Sequence, residues 1–199
     1  MLTISAYRLV AQLYESANSL IYRGWRVSDE QPVVLKILKD TYPTPERTAW
    51  FKREYEVTRN LTIPGVVDAY ALLRDDQRLV MILEDFGGDS LELLGIAGQV
   101  ELCEFLKLAI AITDILGQIH AGNIIHKDIN PSNIVLNPTT GQVKIIDFGI
   151  STALSRENPI FSNPNVLEGT LAYISPEQTG RMNRAIDYRS DFYRNLAGA

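Results

Sequence analysis

The chain has 199 residues, a formal net charge of −5, 46% apolar residues and 22% charged residues. That balance excludes wholesale disorder and fibrous architecture, and a chain of this size buries enough surface to need no metal or disulfide staple. Cys103 is the single cysteine, which rules out an intramolecular disulfide framework and a multi-cysteine zinc site. The acidic balance argues against nucleic acid as the main partner. The start, Met1 to Arg8, lacks the basic run and apolar stretch of a signal peptide, and the most apolar segment, Leu106 to Ile119, is interrupted by Lys107, Thr113, Asp114 and Gln118. The expectation is a cytoplasmic protein with no membrane span.

In chain order, strand-like runs fall at Leu20 to Tyr22, Val33 to Leu38, Val66 to Leu73 and Leu79 to Leu83, separated by clusters such as Ser28-Asp29-Glu30 and Arg74-Asp75-Asp76-Gln77. A helix is predicted from Pro45 to Leu61, entered through Thr44 with proline just inside and stopped before Pro64-Gly65. Gly87-Gly88-Asp89-Ser90 reads as a hinge. A long helix follows over about Val100 to Ala121, with Leu102, Phe105, Leu106, Ala109, Ile112, Thr113, Leu116 and Ile119 on one buried face. Gly122-Asn123 ends it. Short strands at Ile134 to Leu136 and Val143 to Ile146 flank the turn Asn137 to Gly141, and the chain from Asp147 reads as a long loop. A sheet-rich part, a glycine hinge and a helical part predict an α+β fold of two lobes around a ligand cleft.

The chemistry concentrates in His126-Lys127-Asp128-Ile129-Asn130-Pro131-Ser132-Asn133, followed after a hairpin by Asp147-Phe148-Gly149. Phosphoryl transfer from a nucleotide needs one carboxylate to orient and accept the proton of an attacking hydroxyl. It needs a second carboxylate and an amide oxygen to hold magnesium against the phosphates. Asp128, Asp147 and Asn133 supply those groups. Taken singly, Asn-Pro and Asp-Phe-Gly are ordinary turn chemistry; the combination is what points to transfer.

These residues resemble the protein kinase family, whose catalytic loop reads His-Arg-Asp-x-x-x-x-Asn before Asp-Phe-Gly, with Lys127 in place of arginine. The resemblance implies a β-rich N-lobe over about residues 1–86, a helical C-lobe over 87–193 that lacks its last helices, and a non-matching tail at 194–199. It implies ATP and Mg²⁺ as cofactors and a protein substrate. A strand lysine for the α/β phosphates falls on Lys36 within Val33-Val34-Leu35-Lys36, where alternation puts Val34 and Lys36 on one face and Val33, Leu35 and Ile37 on the other.

Its helical partner is Glu54 or Glu56. Phe51, Glu54, Val57 and Leu61 follow one apolar stripe, and Glu56 lies about 200° around the helix from Glu54, so Glu54 is chosen. The family's glycine-rich loop would place its glycines at Tyr14, Ser16 and Ser19 if Ile21 takes the valine position; no glycine is present. Ser16 and Ser19 remain small and able to donate to phosphate oxygens, at the expense of the φ > 0 conformations glycine allows. By position, Glu84-Asp85-Phe86 is the hinge that bonds adenine, and Ile21, Val34 and Val135 sandwich the base.

Gly169-Thr170-Leu171-Ala172-Tyr173-Ile174-Ser175-Pro176-Glu177 resembles the end of a kinase activation segment, with Ser175 for the usual alanine. In the family the glutamate pairs with a late arginine and the threonine lines the substrate pocket. Ser151, Thr152, Ser155 and Ser162 are candidate phosphorylation sites with Lys127 as the adjacent cation. His126 reads as a scaffold residue beneath Phe148, His120 as a helix-end residue, and Cys103 as a helix residue without redox duty. Asn130 stands where serine/threonine kinases carry lysine; an amide there bonds a phosphate or a hydroxyl without adding charge.

Ser175 to Arg184, with the catalytic loop, is similar to the N-terminal kinase domain of cyanobacterial-type multidomain sensor kinases, which implies sensor or histidine-kinase modules in a full-length relative. The chain departs from the family after Asp191-Phe192-Tyr193; a truncated product would leave the long helix with an exposed apolar patch. The function expected is ATP-dependent phosphoryl transfer to serine or threonine hydroxyls of a protein. The alternatives are a non-catalytic nucleotide-binding scaffold and a small-molecule phosphotransferase, the latter disfavoured by the Thr170 to Glu177 segment.

Overall fold

The structure is a computed structural model that describes residues 4–96, 98–153, 173–179 and 186–197. The fold is α+β, and the chain divides into two compact units. The first runs to Thr62 and takes up again from Val67 to Gly87; the second comprises Ile63–Val66 and the chain from Gly88 onward.

The first unit is an antiparallel sheet of five strands, β1 (Tyr7–Glu15), β2 (Ser19–Arg26), β3 (Pro32–Leu38), β4 (Ala69–Asp75) and β5 (Arg78–Glu84), in the order β1-β2-β3-β5-β4. Alternation along β3 divides its side chains as expected: Val33, Leu35 and Ile37 are fully buried with Val80, Ile82 and Ile4. Opposite them, Leu38, Leu79 and Met81 pack with Phe51 of helix α1 (Pro45–Asn60). Thr44 caps α1 by accepting from the Arg47 N–H at 3.3 Å, and Pro45 occupies the first turn, where a missing N–H removes nothing.

Strand β1 is an element the sequence reading did not anticipate. Its pairing with β2 slips between Leu9 and Ala11 and again between Gln12 and Tyr14, so the period-two pattern that announces a strand is broken twice. Strand β4 begins at Ala69 rather than at Val66, because Val66 makes an isolated parallel bridge to Ile145 in the second unit.

In the second unit, β6 (Asp89–Ser90), β8 (Ile134–Leu136) and β9 (Val143–Ile145) form a small sheet, and β7 (Ile124–Ile125) pairs with β10 (Thr152–Ala153). The β8–β9 turn is held by Asn137, whose Oδ1 accepts from the Thr139 and Thr140 amides at 2.9 and 3.1 Å, while Gly141 closes it at φ +72°. After the short helix α2 (Leu91–Leu94), helix α3 (Leu102–Ala121) buries Ile112, Ile115, Leu116 and Ile119. The buried face is therefore narrower than the sequence pattern predicted: Leu102 is 69% exposed and Leu106 48%, with Ile110 beside them at 61%. Helix α4 (Arg189–Ala197) contacts α3.

Gly65, expected only to break a helix, has a packing role. A Cβ there would lie 2.2 Å from Ile115 Cγ1, while the Gly65 carbonyl accepts from the Ile145 N–H at 2.8 Å. Gly65→Ala is expected to destabilise the chain by about 1–3 kcal/mol, as overpacking does, read from urea melts. Adding Ile115→Val, which shortens the clashing side chain, should recover part of the loss.

Candidate active site

The Lys36 side chain comes from the middle of β3, on the face opposite the Val33–Leu35–Ile37 core, with Ile21 and Met81 as its cross-strand neighbours. Helix α1 delivers Glu54 to it: Lys36 Nζ donates to Glu54 Oε1 at 2.5 Å, and both side chains are buried. Glu56 is exposed on the other side of the helix. Thr58, one turn beyond, donates its hydroxyl to the Glu54 carbonyl at 2.8 Å. Removing either partner of a buried ion pair leaves the other as an uncompensated buried charge.

The catalytic-loop residues are wired to one another within the second unit. Asn133 Nδ2 donates to the Asp128 carbonyl at 2.8 Å and to Asp128 Oδ2 at 3.1 Å. The Ile146 N–H donates to the Asn133 carbonyl at 3.0 Å, which ties the residue before Asp147 to the loop. Asp147 is exposed and its Oδ1 accepts from the Gly149 N–H at 3.2 Å. Lys127 and Asp147 both hold φ in the left-handed region, at +69° and +64°. For non-glycine residues that conformation costs on the order of 1–3 kcal/mol and persists only where surrounding contacts impose it.

His126 is fully buried, its ring 4.7 Å from that of Phe148 in an edge arrangement. Its Nε2 lies 3.0 Å from the Ile146 carbonyl, so that nitrogen carries the hydrogen, while Nδ1 accepts from the Asp128 N–H at 3.2 Å. The ring thus spans the segments that carry Asp128 and Asp147.

Two features correct the sequence reading, and a third describes the turn read there as the phosphate cover. Asn130 is not turned toward a ligand: it is 3% exposed, its Oδ1 accepts from Ser132 N–H at 2.9 Å and its Nδ2 donates to the Asp128 carbonyl at 3.1 Å. Ser151 is buried and its hydroxyl donates to the Phe148 carbonyl at 2.7 Å, which removes it as an accessible phosphate acceptor. Ser16 and Ser19 bond each other, Oγ to Oγ at 3.0 Å, and Ser16 Oγ also accepts from the Asn18 and Ser19 amides. No residue from Tyr14 to Ser19 has positive φ, so this turn needs no glycine.

The remaining site residues lie as follows. Ile21 and Val34 are half-buried in the first unit and Val135 is buried in β8 of the second. The Glu84 N–H donates to the Asp68 carbonyl at 2.9 Å, Asp85 pairs with Arg23 at 2.8 Å, and Phe86 is half-buried. Thr170, Ser155 and Ser162 lie outside the described residues. Among the described residues no cluster of three or more His, Cys, Asp or Glu side chains suits a metal ion, and no helix is long and apolar enough to cross a membrane.

One residue central to the second unit was noted in sequence only as part of Asp191-Phe192-Tyr193, after which the chain departs from the family pattern. Asp191 is fully buried. Its Oδ1 accepts from the Lys127 N–H at 2.8 Å, and its Oδ2 accepts from the His126 N–H at 2.9 Å and from His120 Nε2 at 2.8 Å. His120, beyond closing its helix, contacts the rings of Tyr188 and Phe192, at 5.9 and 5.3 Å between centroids, and bonds that carboxylate.

The first unit thus holds a buried lysine–glutamate pair, and the second a hydrogen-bonded Asp–Asn loop beside an Asp-Phe-Gly turn. Residues 7–194 match the model of the protein kinase domain, and the chain belongs to that family. It is 29% identical over 195 residues to serine/threonine-protein kinase pkn3 of Myxococcus xanthus, covering 94% of this chain and 35% of the relative. It is 32% identical over 191 residues to the DNA damage-responsive serine/threonine-protein kinase RqkA of Deinococcus radiodurans, covering 94% and 28%. With serine/threonine-protein kinase PknL of Mycobacterium tuberculosis it shares 29% identity over 191 residues, covering 95% and 47%. The chain therefore spans less than half the length of each of these relatives.

Removing Glu54 strands the Lys36 ammonium in a buried place. Glu54→Ala is expected to lower stability by about 3–5 kcal/mol, whereas the double change Lys36→Met, Glu54→Leu, which removes both charges, should cost far less. Denaturant melts of the three proteins check this.

Proposed function

We propose that the chain transfers the γ-phosphoryl group of ATP to a serine or threonine hydroxyl of a protein. The observation that carries this reading is the Asp128–Asn133 hydrogen bond at 3.1 Å within a loop locked to the Asp-Phe-Gly turn. Asn133 turns its amide nitrogen toward Asp128, which directs its oxygen away, and Asp147 presents an exposed carboxylate. That pair fits Mg²⁺, a cation usually held by one or two protein oxygens together with phosphates and water. When bound, the ion would neutralise charge on the transferred phosphoryl group.

Asp128 would accept the proton of the attacking hydroxyl and aim its oxygen. Lys36, restrained by Glu54, would take the α/β phosphates. Ile21, Val34 and Val135 would contact the base, with backbone groups of Glu84 to Phe86 as its hydrogen-bond partners. Ser16 and Ser19 fit a rigid turn over the phosphates better than a glycine-like flexible cover, because their hydroxyls already bond each other. The same observation favours a second reading, a nucleotide-binding scaffold with weak transfer.

The expected setting is the cytoplasm, where ATP and protein substrates meet. The first 86 residues and residues 87–193 would act as the family's two lobes, with 194–199 outside the motif. The wider assignment, a kinase domain of a multidomain sensor protein with histidine-kinase modules, rests on the Ser175 to Arg184 motif.

Incubation with γ-labelled ATP and a general protein acceptor tests the proposal. Wild type should transfer label, and Asp147→Ala should reduce transfer by about 100-fold or more, since the cation's charge stabilisation is lost. Equal transfer by both would refute the catalytic reading. Thermal stabilisation by Mg-ATP without transfer would select the scaffold.

A further inference from the structure

The segment from Tyr173 to Thr179 carries a polar pair that the catalytic reading does not use. Ser175 is fully buried, and both its N–H (3.4 Å) and its hydroxyl (2.9 Å) point at Gln178 Oε1. A backbone N–H can only donate, so the atom facing Ser175 is the amide oxygen of Gln178, and its nitrogen must face the other way. There it donates to the Lys127 carbonyl at 3.2 Å.

That carbonyl belongs to the peptide unit whose N–H is that of Asp128, and this N–H is itself donated to His126 Nδ1 at 3.2 Å. A planar peptide gripped at its oxygen and at its hydrogen has no freedom to rotate. Its orientation sets the direction in which the Asp128 side chain leaves the backbone. The residue before it, Lys127, sits at φ +69° with its own N–H held by Asp191. The two arms are joined behind the loop, because Ser190, next to Asp191, donates its hydroxyl to Glu177, next to Gln178. Lys127 is thus enclosed in a ring: Asp191 on its N–H, Gln178 on its carbonyl, and the Ser190–Glu177 bond closing the circuit.

We propose that Gln178, keyed by Ser175, is a positioning residue that fixes the Lys127–Asp128 peptide and through it aims Asp128. The proposal deepens the phosphotransfer reading above and rests on it for its kinetic consequence. Ser175 also adds a second donor: its hydroxyl reinforces the backbone N–H that sets the Gln178 amide, a bond an alanine there would lack.

The test uses the full chain with Gln178→Glu, which keeps the shape and the acceptance from Ser175 but turns an oxygen toward the Lys127 carbonyl. At neutral pH its kcat should fall about 10- to 100-fold with KM for ATP unchanged, the loss typical of a displaced reacting group. The deficit should shrink as pH is lowered and the introduced carboxyl protonates and donates; wild type should show no such recovery. A packing role alone would leave this isosteric variant at the wild-type rate at every pH, and that result overturns the proposal. Amide hydrogen exchange over residues 126–129, measured on the same proteins, separates this claim from the activity itself. If wild type transfers no phosphate, the phosphotransfer reading fails on its own. Faster exchange in Gln178→Glu then still supports the clamp, and unchanged exchange overturns it.

Discussion

The buried carboxylate of Asp191 is the constraint on which the second unit is organised. An ionised group removed from water costs several kcal/mol unless hydrogen bonds replace its hydration. Here three donors do so: the backbone N–H groups of His126 and Lys127, and the His120 ring. The end of α3, the start of α4 and the loop bearing Asp128 are thereby fastened at one point. Lys127, whose N–H the carboxylate holds, sits in the left-handed region at φ +69°.

The first unit has an analogous anchor of different chemistry. Lys36 and Glu54 meet across the sheet–helix boundary, and each makes the other's burial tolerable. Around them the packing is ordinary: aliphatics of β3 and β5 on one face, Phe51 and Met81 on the other. Both units thus follow one pattern, an apolar core that pins a few charges where solvent would otherwise scatter them.

Much of this was legible in the residues. The stripe Phe51–Glu54–Val57–Leu61 could be read from helical spacing, because a charge on an inward face demands a partner; the structure buries Phe51, Glu54 and Leu61 along it, with Thr58 rather than Val57. The elements α1, β8 and β9 were announced by caps, prolines and a turn-forming Asn-Pro. What was not legible depended on contacts between distant segments or on broken periodicity. Asp191 bonds residues 64 to 71 positions away, and nothing local marks it as more than a helix start. The bulges hid β1. Apolar spacing on α3 continued through Leu102 and Leu106, but periodicity reports where a face lies, not whether anything covers it. Asn130 was misread for a related reason: a polar side chain in a loop can bond the loop itself, and sequence does not reveal which do.

The long reach of Asp191 bears on how the protein is made. Residues 36 and 54 emerge from the ribosome close together and can meet as soon as their sheet forms. The loop at 126–133 has its apolar flanks early but lacks its anchoring carboxylate until some sixty more residues have been translated. At about 5–20 residues per second that interval lasts several seconds. Through it the nascent chain carries that loop without the carboxylate that later holds its amides.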